Sequence, residues 1–210
     1  ICIAAYAIGS SRAFIYVRSS YDKAIHLLAR AIDQAHEYGL LGHNVFESGF
    51  NLEIVLKRGA GALVCGEETA LISSIEGKRG MPRPKPPYPA ESGLFGKPTV
   101  VNNVETLMNV PAIIANGPDW YSSIGTELTS GTKVLSLSGK IVRNGLVEVA
   151  MGTSLKKVIE SIGGGVPENK KIKAIQIGGP MGGIVSAENS DIPIDYETLK
   201  SMGVMMGSGG

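Results

Sequence analysis

The stretch NLEIVLKRGAGALVCGEETALISSIEG, residues 51–77, decides the fold because three patterns follow one another in it. Apolar residues alternate at Leu52, Ile54 and Leu56, which predicts a half-buried strand. That strand runs into glycines from Gly59 onward, and the residues after the glycines predict a helix. A glycine-rich passage from strand to helix can present free N–H groups to an anion. It fits neither G-x-G-x-x-G nor a Walker P-loop, so an ordinary dinucleotide or nucleoside triphosphate site is not indicated.

The segments before this stretch continue the alternation of helices and strands. ICIAAYAI, residues 1–8, predicts the end of a buried helix that stops near Gly9, and AFIYVR, residues 13–18, predicts a strand. Apolar residues at three- and four-residue spacing then predict an amphipathic helix with Gly39 as its stop. This order predicts an α/β layered sheet.

The second half has a different order of elements. TKVLSLSG and LVEVAMG predict two short strands joined through a turn at Asn144-Gly145, followed by a short helix in SLKKVIESIG and a strand in IKAIQIGG. Hairpin, helix and strand in this order are typical of a small β-grasp module. We therefore predict an α/β domain over 1–125, a β-grasp domain over 131–187 and a connector over 188–210.

Composition excludes several classes of protein. The 210 residues carry a net charge of +1, which does not favour a broad nucleic-acid surface. Cys2 and Cys65 are the two cysteines, too few for a disulfide framework or for a four-ligand iron–sulfur cluster. Cys65 is either a reactive thiol or small buried packing. The three histidines have no metal-binding spacing, and no serine has a His/Asp arrangement typical of a hydrolase.

Two carboxylates, Glu67 and Glu68, stand where the helix of the opening stretch begins. Carboxylates in a first turn stabilise the helix dipole by ~0.3–1 kcal/mol, which alone could explain them. Alternatively they accept hydrogen bonds from ribose hydroxyls or a carboxamide, which a pyridine nucleotide or a flavin offers.

A long proline-rich loop follows the helix and carries excess positive charge. Five cations against two carboxylates give +3. The loop is either a solvated surface or a phosphate-facing segment on which Tyr88 offers a face for stacking. The charged residues are Glu76, Lys78, Arg79, Arg83, Lys85, Glu91 and Lys97.

The motif VNNVET opens the next predicted helix. Asn102 or Asn103 is a plausible N-cap, and paired amides at a helix start also suit flavin or phosphate oxygens. Pro111 is expected to end or kink this helix.

Residues 59–106, GAGALVCGEETALISSIEGKRGMPRPKPPYPAESGLFGKPTVVNNVET, closely resemble the flavoprotein subunit of respiratory complex I. Its relatives include diaphorase subunits of NAD(P)-linked and bifurcating hydrogenases and of NAD-dependent formate dehydrogenases. The resemblance implies a Rossmann-like domain that binds FMN and NADH, followed by a β-grasp domain of the soluble-ligand-binding type. It also implies that this chain is an internal fragment. A first glycine-rich FMN loop would precede Ile1, and a helical domain with a 4Fe–4S cluster would follow.

Positions matched to the family imply site residues. Gly66, Glu67 and Glu68 would line the flavin and nicotinamide site, with Glu68 near the nicotinamide as the catalytic candidate. Lys85 and Tyr88 would approach NADH.

Further matched positions concern the flavin. Asn102, Asn103 and Thr106 would contact the ribityl chain or phosphate of FMN. Tyr88 stands where the family usually has Phe, and Leu63 stands where it commonly has Tyr, which removes one ring from the flavin site.

The implied activity is hydride transfer from NADH to FMN, with electrons then passed to iron–sulfur subunits of a larger assembly. NADPH instead of NADH, and the final electron acceptor, stay open. The fragment alone is expected to be inactive, and the protein to be cytoplasmic or peripheral on the inner face of the membrane through its partners. The alternative is a non-catalytic binding or assembly module that uses the β-grasp domain and has lost flavin.

Overall fold

The computed structural model describes residues 1–59, 61 and 63–210, apart from the side chains of Leu63, Asn169 and Met181. The chain has a mixed α/β architecture with small sheets, and it divides into two units, Ile1–Pro111 and Ala112–Gly210. The predicted α/β class is thereby confirmed. A Rossmann-like domain followed by a β-grasp domain stays a prediction.

The first unit contains a three-stranded sheet in the order β1-β3-β2, formed by β1 (Arg12–Arg18), β2 (Gly42–Val45) and β3 (Phe50–Gly59). β1 is parallel to β3, whereas β2 is antiparallel to it. Parallel strands need a long crossover connection, and α2 (Asp22–Glu37) lies between β1 and β2 in the chain. The strand order makes β3 the central strand, and β3 leads directly to the glycine-rich segment.

Packing on this sheet explains the helices before and after β1. α1 (Cys2–Ile8) ends at Gly9, whose φ of 69° is in the left-handed region, so the predicted helix end is confirmed. The prediction that this helix is buried is wrong, since Ala5 is the one buried residue of α1. Leu52 is fully buried on β3, where it packs with Ala5 of α1. Ile32 of α2 packs against the same cluster, as its helical spacing predicts.

Three helices follow the glycine-rich segment: α3 (Glu68–Ile75), α4 (Pro89–Ser92) and α5 (Val104–Asn116). α4 lies within the predicted long loop. α5 continues through Pro111 to Asn116, so Pro111 does not end the helix, and a kink there stays a prediction. A proline removes one backbone hydrogen bond of a helix because it has no N–H, and the remaining bonds hold the following turn.

The second unit contains two antiparallel hairpins. β4 (Thr132–Leu137) pairs with β5 (Gly145–Ala150), but the connection runs over residues 138–144, and Gly145 already pairs with Leu137. The two strands are confirmed, while a tight turn centred on Asn144-Gly145 is wrong. β6 (Ala174–Ile177) pairs with β7 (Gly183–Ser186), a strand that the sequence pattern does not predict. The further elements are α6 (Pro118–Ser122), α7 (Leu155–Lys157) with a π-helical turn (Val158–Ile162) and α8 (Tyr196–Ser201).

One apolar core holds the second unit together. Residues of three different elements are buried in it: Leu135 of β4, Val158 of the π-helical turn and Val185 of β7. Leu199 of α8 is buried in the same core, so residues beyond 187 contribute to the packing of this unit. The division into domains at 1–125, 131–187 and 188–210 stays a prediction.

A cleft of about 960 Å³ opens on this core. Apolar residues of the core line it together with several lysines, among them Lys140, Lys171 and Lys173. No helix in the described part of the chain is long and apolar enough to cross a membrane. Within the same residues, no group of three or more His, Cys, Asp and Glu could hold a metal ion.

Candidate functional site

The carboxylate of Glu67 caps the start of α3. The first N–H groups of a helix have no partner within the helix. The polar side chain of an extended residue just before the helix can accept hydrogen bonds from them. Glu67 is extended, with φ −73° and ψ 133°, and its Oε2 accepts from the N–H groups of Thr69 at 2.8 Å and Ala70 at 2.9 Å. The hydroxyl of Thr69 donates to the same oxygen. Glu67 is therefore the N-cap of α3, a direct contact in addition to the predicted dipole interaction, and its second oxygen remains for other partners.

Lys85 bridges the two carboxylates. Its Nζ lies 3.3 Å from Oε1 of Glu67 and within hydrogen-bond distance of Oε1 of Glu68. The three side chains remain 29–36 % exposed. Ion pairs at such positions stabilise a fold little, because solvent screens them. The Glu67–Glu68–Lys85 cluster therefore matters for where it holds charge and not for stability.

The pKa values of Glu67 and Lys85 follow from these contacts. Burial acts to raise the pKa of Glu67, but hydrogen bonds from Thr69, Ala70 and Lys85 outweigh it and lower that pKa below its ordinary value. The hydrogen bond to Glu68 is the largest cause of the raised pKa of Lys85. Near neutral pH the cluster therefore contains an anionic Glu67 and a cationic Lys85.

A buried layer lies behind this cluster. The side chain of Thr69 is fully buried, and its Oγ1 accepts the backbone N–H of Arg83 at 2.9 Å. The guanidinium of Arg83 donates to the carbonyl of Ser92, while its Nε is buried with no hydrogen-bond partner among the described residues. The sequence analysis did not select Thr69. The only signal available was a hydroxyl residue two positions after the capping Glu67.

Most of the cationic side chains of the proline-rich loop contact other groups of the protein. Lys78 forms an ion pair with Glu76 at 2.8 Å, and Lys85 contacts the two carboxylates of α3. Arg79 and Lys97 form no ion pair within the described residues. The loop is thus neither a fully solvated surface nor a free cluster of five cations.

Tyr88 stands three residues after Lys85 and is the N-cap residue of α4. Its backbone N–H donates to Oε2 of Glu91 at 3.2 Å, and the residue is 54 % exposed. The exposed ring has room for a stacking partner.

The asparagine pair, Asn102 and Asn103, directly precedes α5. Oδ1 of Asn103 accepts the N–H of Glu105 at 2.8 Å, which confirms the predicted capping. Asn102 and Thr106 are exposed. The preceding Val101 packs against the cluster that α3 forms with Leu94.

Among the described residues, no hydrogen bond or ion pair joins Asn102, Asn103 or Thr106 to the Glu67–Glu68–Lys85 cluster. The assignment of these residues to one site stays a prediction.

The glycine-rich segment is only partly described, since Ala60, Ala62 and the side chain of Leu63 lie outside the described residues. The predicted consequence of Leu63 in the place of Tyr therefore has no structural account. Gly59 is fixed by close packing, because a Cβ there would stand 2.3 Å from the ring of Tyr16. Gly66 is exposed, and a Cβ there would have no atom within 4 Å.

Comparison with known proteins decides the family. Residues 1–112, more than half of the chain, match the family Complex1_51K, described as the Nuo51 FMN-binding domain. The chain belongs to this family. The predicted resemblance to complex I flavoprotein subunits and their hydrogenase relatives is thereby confirmed.

Individual family members match over nearly the whole chain. The HndC subunit of the NADP-reducing hydrogenase of Solidesulfovibrio fructosivorans is 58 % identical over 100 % of this chain and 43 % of its own length. The F subunit of the NADH-quinone oxidoreductase of Aquifex aeolicus (strain VF5) is 51 % identical over 95 % of this chain and 46 % of its own length. The chain thus spans about half the length of these curated relatives.

A solved structure shows the same architecture. The crystal structure of the NAD+-reducing [NiFe]-hydrogenase in the H2-reduced state matches with a TM-score of 0.84 and 36 % identity. The match covers 99 % of this chain and 34 % of that chain.

The described residues of the first unit fit FMN, the group that this family binds. The ribityl chain of FMN carries hydroxyl groups, which donate hydrogen bonds to carboxylates and amide oxygens, and its phosphate accepts hydrogen bonds from amide and hydroxyl groups. Glu68, Asn102 and Thr106 supply these chemical types from partly or fully exposed positions. The open space at Gly66 lets a planar group approach the backbone.

Proposed function

We propose that this chain is the FMN- and NADH-binding part of an NADH:acceptor oxidoreductase, with a Rossmann-like domain over 1–125 and a β-grasp domain over 131–187. The observation that carries the proposal is the Glu67–Glu68–Lys85 cluster at the start of α3, in a chain of the FMN-binding family. The names of relatives, which speak of NADH-quinone oxidoreductase and NADP-reducing hydrogenase subunits, support it.

FMN, when bound, supplies a ring that takes up hydride from NADH and releases electrons singly. The protein residues bind and orient. Glu68 accepts hydrogen bonds from hydroxyl or carboxamide donors of the nucleotide, and Lys85 donates to its phosphates. Tyr88 stacks on a base through its exposed ring. No residue of the cluster has to act as a strong base.

Asn102, Asn103 and Thr106 are assigned to the ribityl chain or phosphate of FMN. Asn103 uses Oδ1 to cap α5, which leaves its amide N–H groups to donate. Thr106 is exposed on the same first turn. The assignment rests on their position at a helix start, where N–H groups favour an anion.

The electrons pass, in our proposal, to iron–sulfur subunits of a complex I-like, hydrogenase or formate dehydrogenase assembly in the cytoplasm. A 4Fe–4S cluster of the full-length protein would need ligands beyond this chain, since it contains two cysteines.

The test uses the full-length protein with its partner subunits. The wild type is expected to retain FMN and to reduce ferricyanide with NADH. Glu68→Gln is expected to lower that activity while assembly is unchanged. The matched control, Glu127→Gln, removes an exposed carboxylate of the second unit and is expected to behave as the wild type.

Two outcomes would contradict the proposal. An assembled wild-type complex without FMN would favour the non-catalytic assembly module. Equal NADH–ferricyanide activities of Glu68→Gln and Glu127→Gln would remove Glu68 from the site.

A further inference from the structure

Thr69 is a fully buried polar side chain with both of its hydrogen-bonding roles in use. Its hydroxyl donates to Oε2 of Glu67 and accepts the backbone N–H of Arg83 at 2.9 Å. Buried hydroxyls are seldom left without partners, but one partner would satisfy this need. The two partners here belong to different segments, the helix start and the proline-rich loop.

Residues 82–87 have few backbone donors with which to bind to the body of the unit. Prolines have no N–H, so only Arg83 and Lys85 offer a backbone donor within residues 82–87. One of these two donors is used by Thr69. Because Lys85 follows Arg83 by two residues, this contact fixes the backbone from which the ammonium group of Lys85 reaches the carboxylates.

The same hydroxyl also orients a carboxylate. Oε2 of Glu67 is occupied by Thr69 and the N–H of Ala70, so Oε1 is the oxygen that remains for Lys85, at 3.3 Å. One buried group therefore fixes the anion and the cation of the cluster at once.

We propose that Thr69 is a positioning residue, whose buried hydroxyl sets the distance between Lys85 and the carboxylates and so the fit of the cluster to a nucleotide. This inference rests on the proposed function for the role of the cluster. Thr69 touches neither substrate nor cofactor in this scheme, and its effect is on nucleotide affinity.

The test compares Thr69→Val with Thr69→Ser in the full-length protein within its complex. Valine keeps the shape and removes the hydroxyl, while serine keeps the hydroxyl. Thr69→Val is expected to raise KM for NADH about 5- to 30-fold with kcat little changed, the effect of losing a buried contact. Thr69→Ser is expected to have the same KM for NADH as the wild type. Ser73→Ala is the matched control, since it removes a hydroxyl that bonds to the helix backbone of the same α3.

A second readout does not need the enzyme reaction. Trypsin cleaves after Arg79 but not before the prolines that follow Arg83 and Lys85. Freeing the loop from Thr69 is expected to speed cleavage after Arg79 in Thr69→Val and not in Thr69→Ser or Ser73→Ala. If Thr69→Val is not recovered folded, Thr69→Ala removes the same hydroxyl and replaces it in both comparisons.

The failures can be told apart. Unchanged KM and unchanged cleavage in the hydroxyl-free variant would overturn the positioning role, as would a serine variant that behaves like the valine variant. If the wild type does not oxidise NADH at all, the proposed function fails, and the cleavage rates alone still decide whether Thr69 holds the loop.

Discussion

Different kinds of interaction stabilise each of the two units. In the second unit, α8, β7 and the π-helical turn bury Leu199, Val185 and Val158 in one apolar core. In the first unit, the start of α3 is organised by hydrogen bonds and ion pairs around Glu67 and Thr69, next to small apolar clusters. Apolar packing does not discriminate between similar positions of a charge, whereas directional hydrogen bonds do. The residues proposed for chemistry lie where directional contacts dominate.

Leu199→Ala tests the apolar side of this comparison and has the largest expected effect. Leu199 is 1 % exposed, and its truncation is expected to cost about 2–5 kcal/mol of unfolding free energy in the full-length protein. Urea unfolding measures it, with Leu146→Ala, at a position 77 % exposed, as the control. A cost equal to that of the control would mean that packing does not hold the second unit.

Lys85→Met tests the polar side. It removes the cation between Glu67 and Glu68, and we expect KM for NADH to rise about tenfold, or about 1.4 kcal/mol. The melting temperature should change little, because the pairs are partly exposed. Lys78→Met is the matched control, since Lys78 pairs with Glu76 outside the cluster. Equal KM values in the two variants would separate Lys85 from nucleotide binding.

Glu67→Ala removes the cap of α3 and is expected to cost about 1 kcal/mol of unfolding free energy at pH 7. Because its pKa is lowered on folding, Glu67 stabilises the fold above its ordinary pKa of 4.5. This contribution is lost as the pH falls through the lowered folded-state value. The difference in unfolding free energy between wild type and Glu67→Ala should therefore shrink below about pH 4.5, in acid titrations followed by circular dichroism. A difference that does not change with pH would show that the carboxylate charge is not involved.

Asn103→Ala has the smallest expected effect, about 0.5 kcal/mol for the cap of α5. Asn103→Asp keeps the oxygen that accepts from Glu105 and removes the amide donor. If the amide contacts FMN, Asn103→Asp lowers the flavin content of the purified full-length protein without loss of stability. Wild-type flavin content in Asn103→Asp would leave capping as the whole role of this residue.

The sequence predicted those parts of the molecule that depend on local patterns. Alternation identified β3, and the acidic pair identified the start of α3, because period and capping act within a few neighbouring residues. It missed β7 and the long β4–β5 connection, since pairing there depends on partners distant in the chain.

The candidate site shows the same limit. Lys85 beside Glu68 was expected only as two residues of one site, and their direct contact depends on how a proline-rich loop folds back. Thr69 and Arg83 meet across fourteen positions, which no periodicity reveals.

A structure of the full-length protein with FMN and NADH bound tests the central claim most directly. We predict that Glu68 and Lys85 contact the nucleotide and that Asn102 and Asn103 contact FMN within the same cleft. Flavin and nucleotide bound away from the start of α3, with the asparagine pair facing a different cavity, would contradict this account.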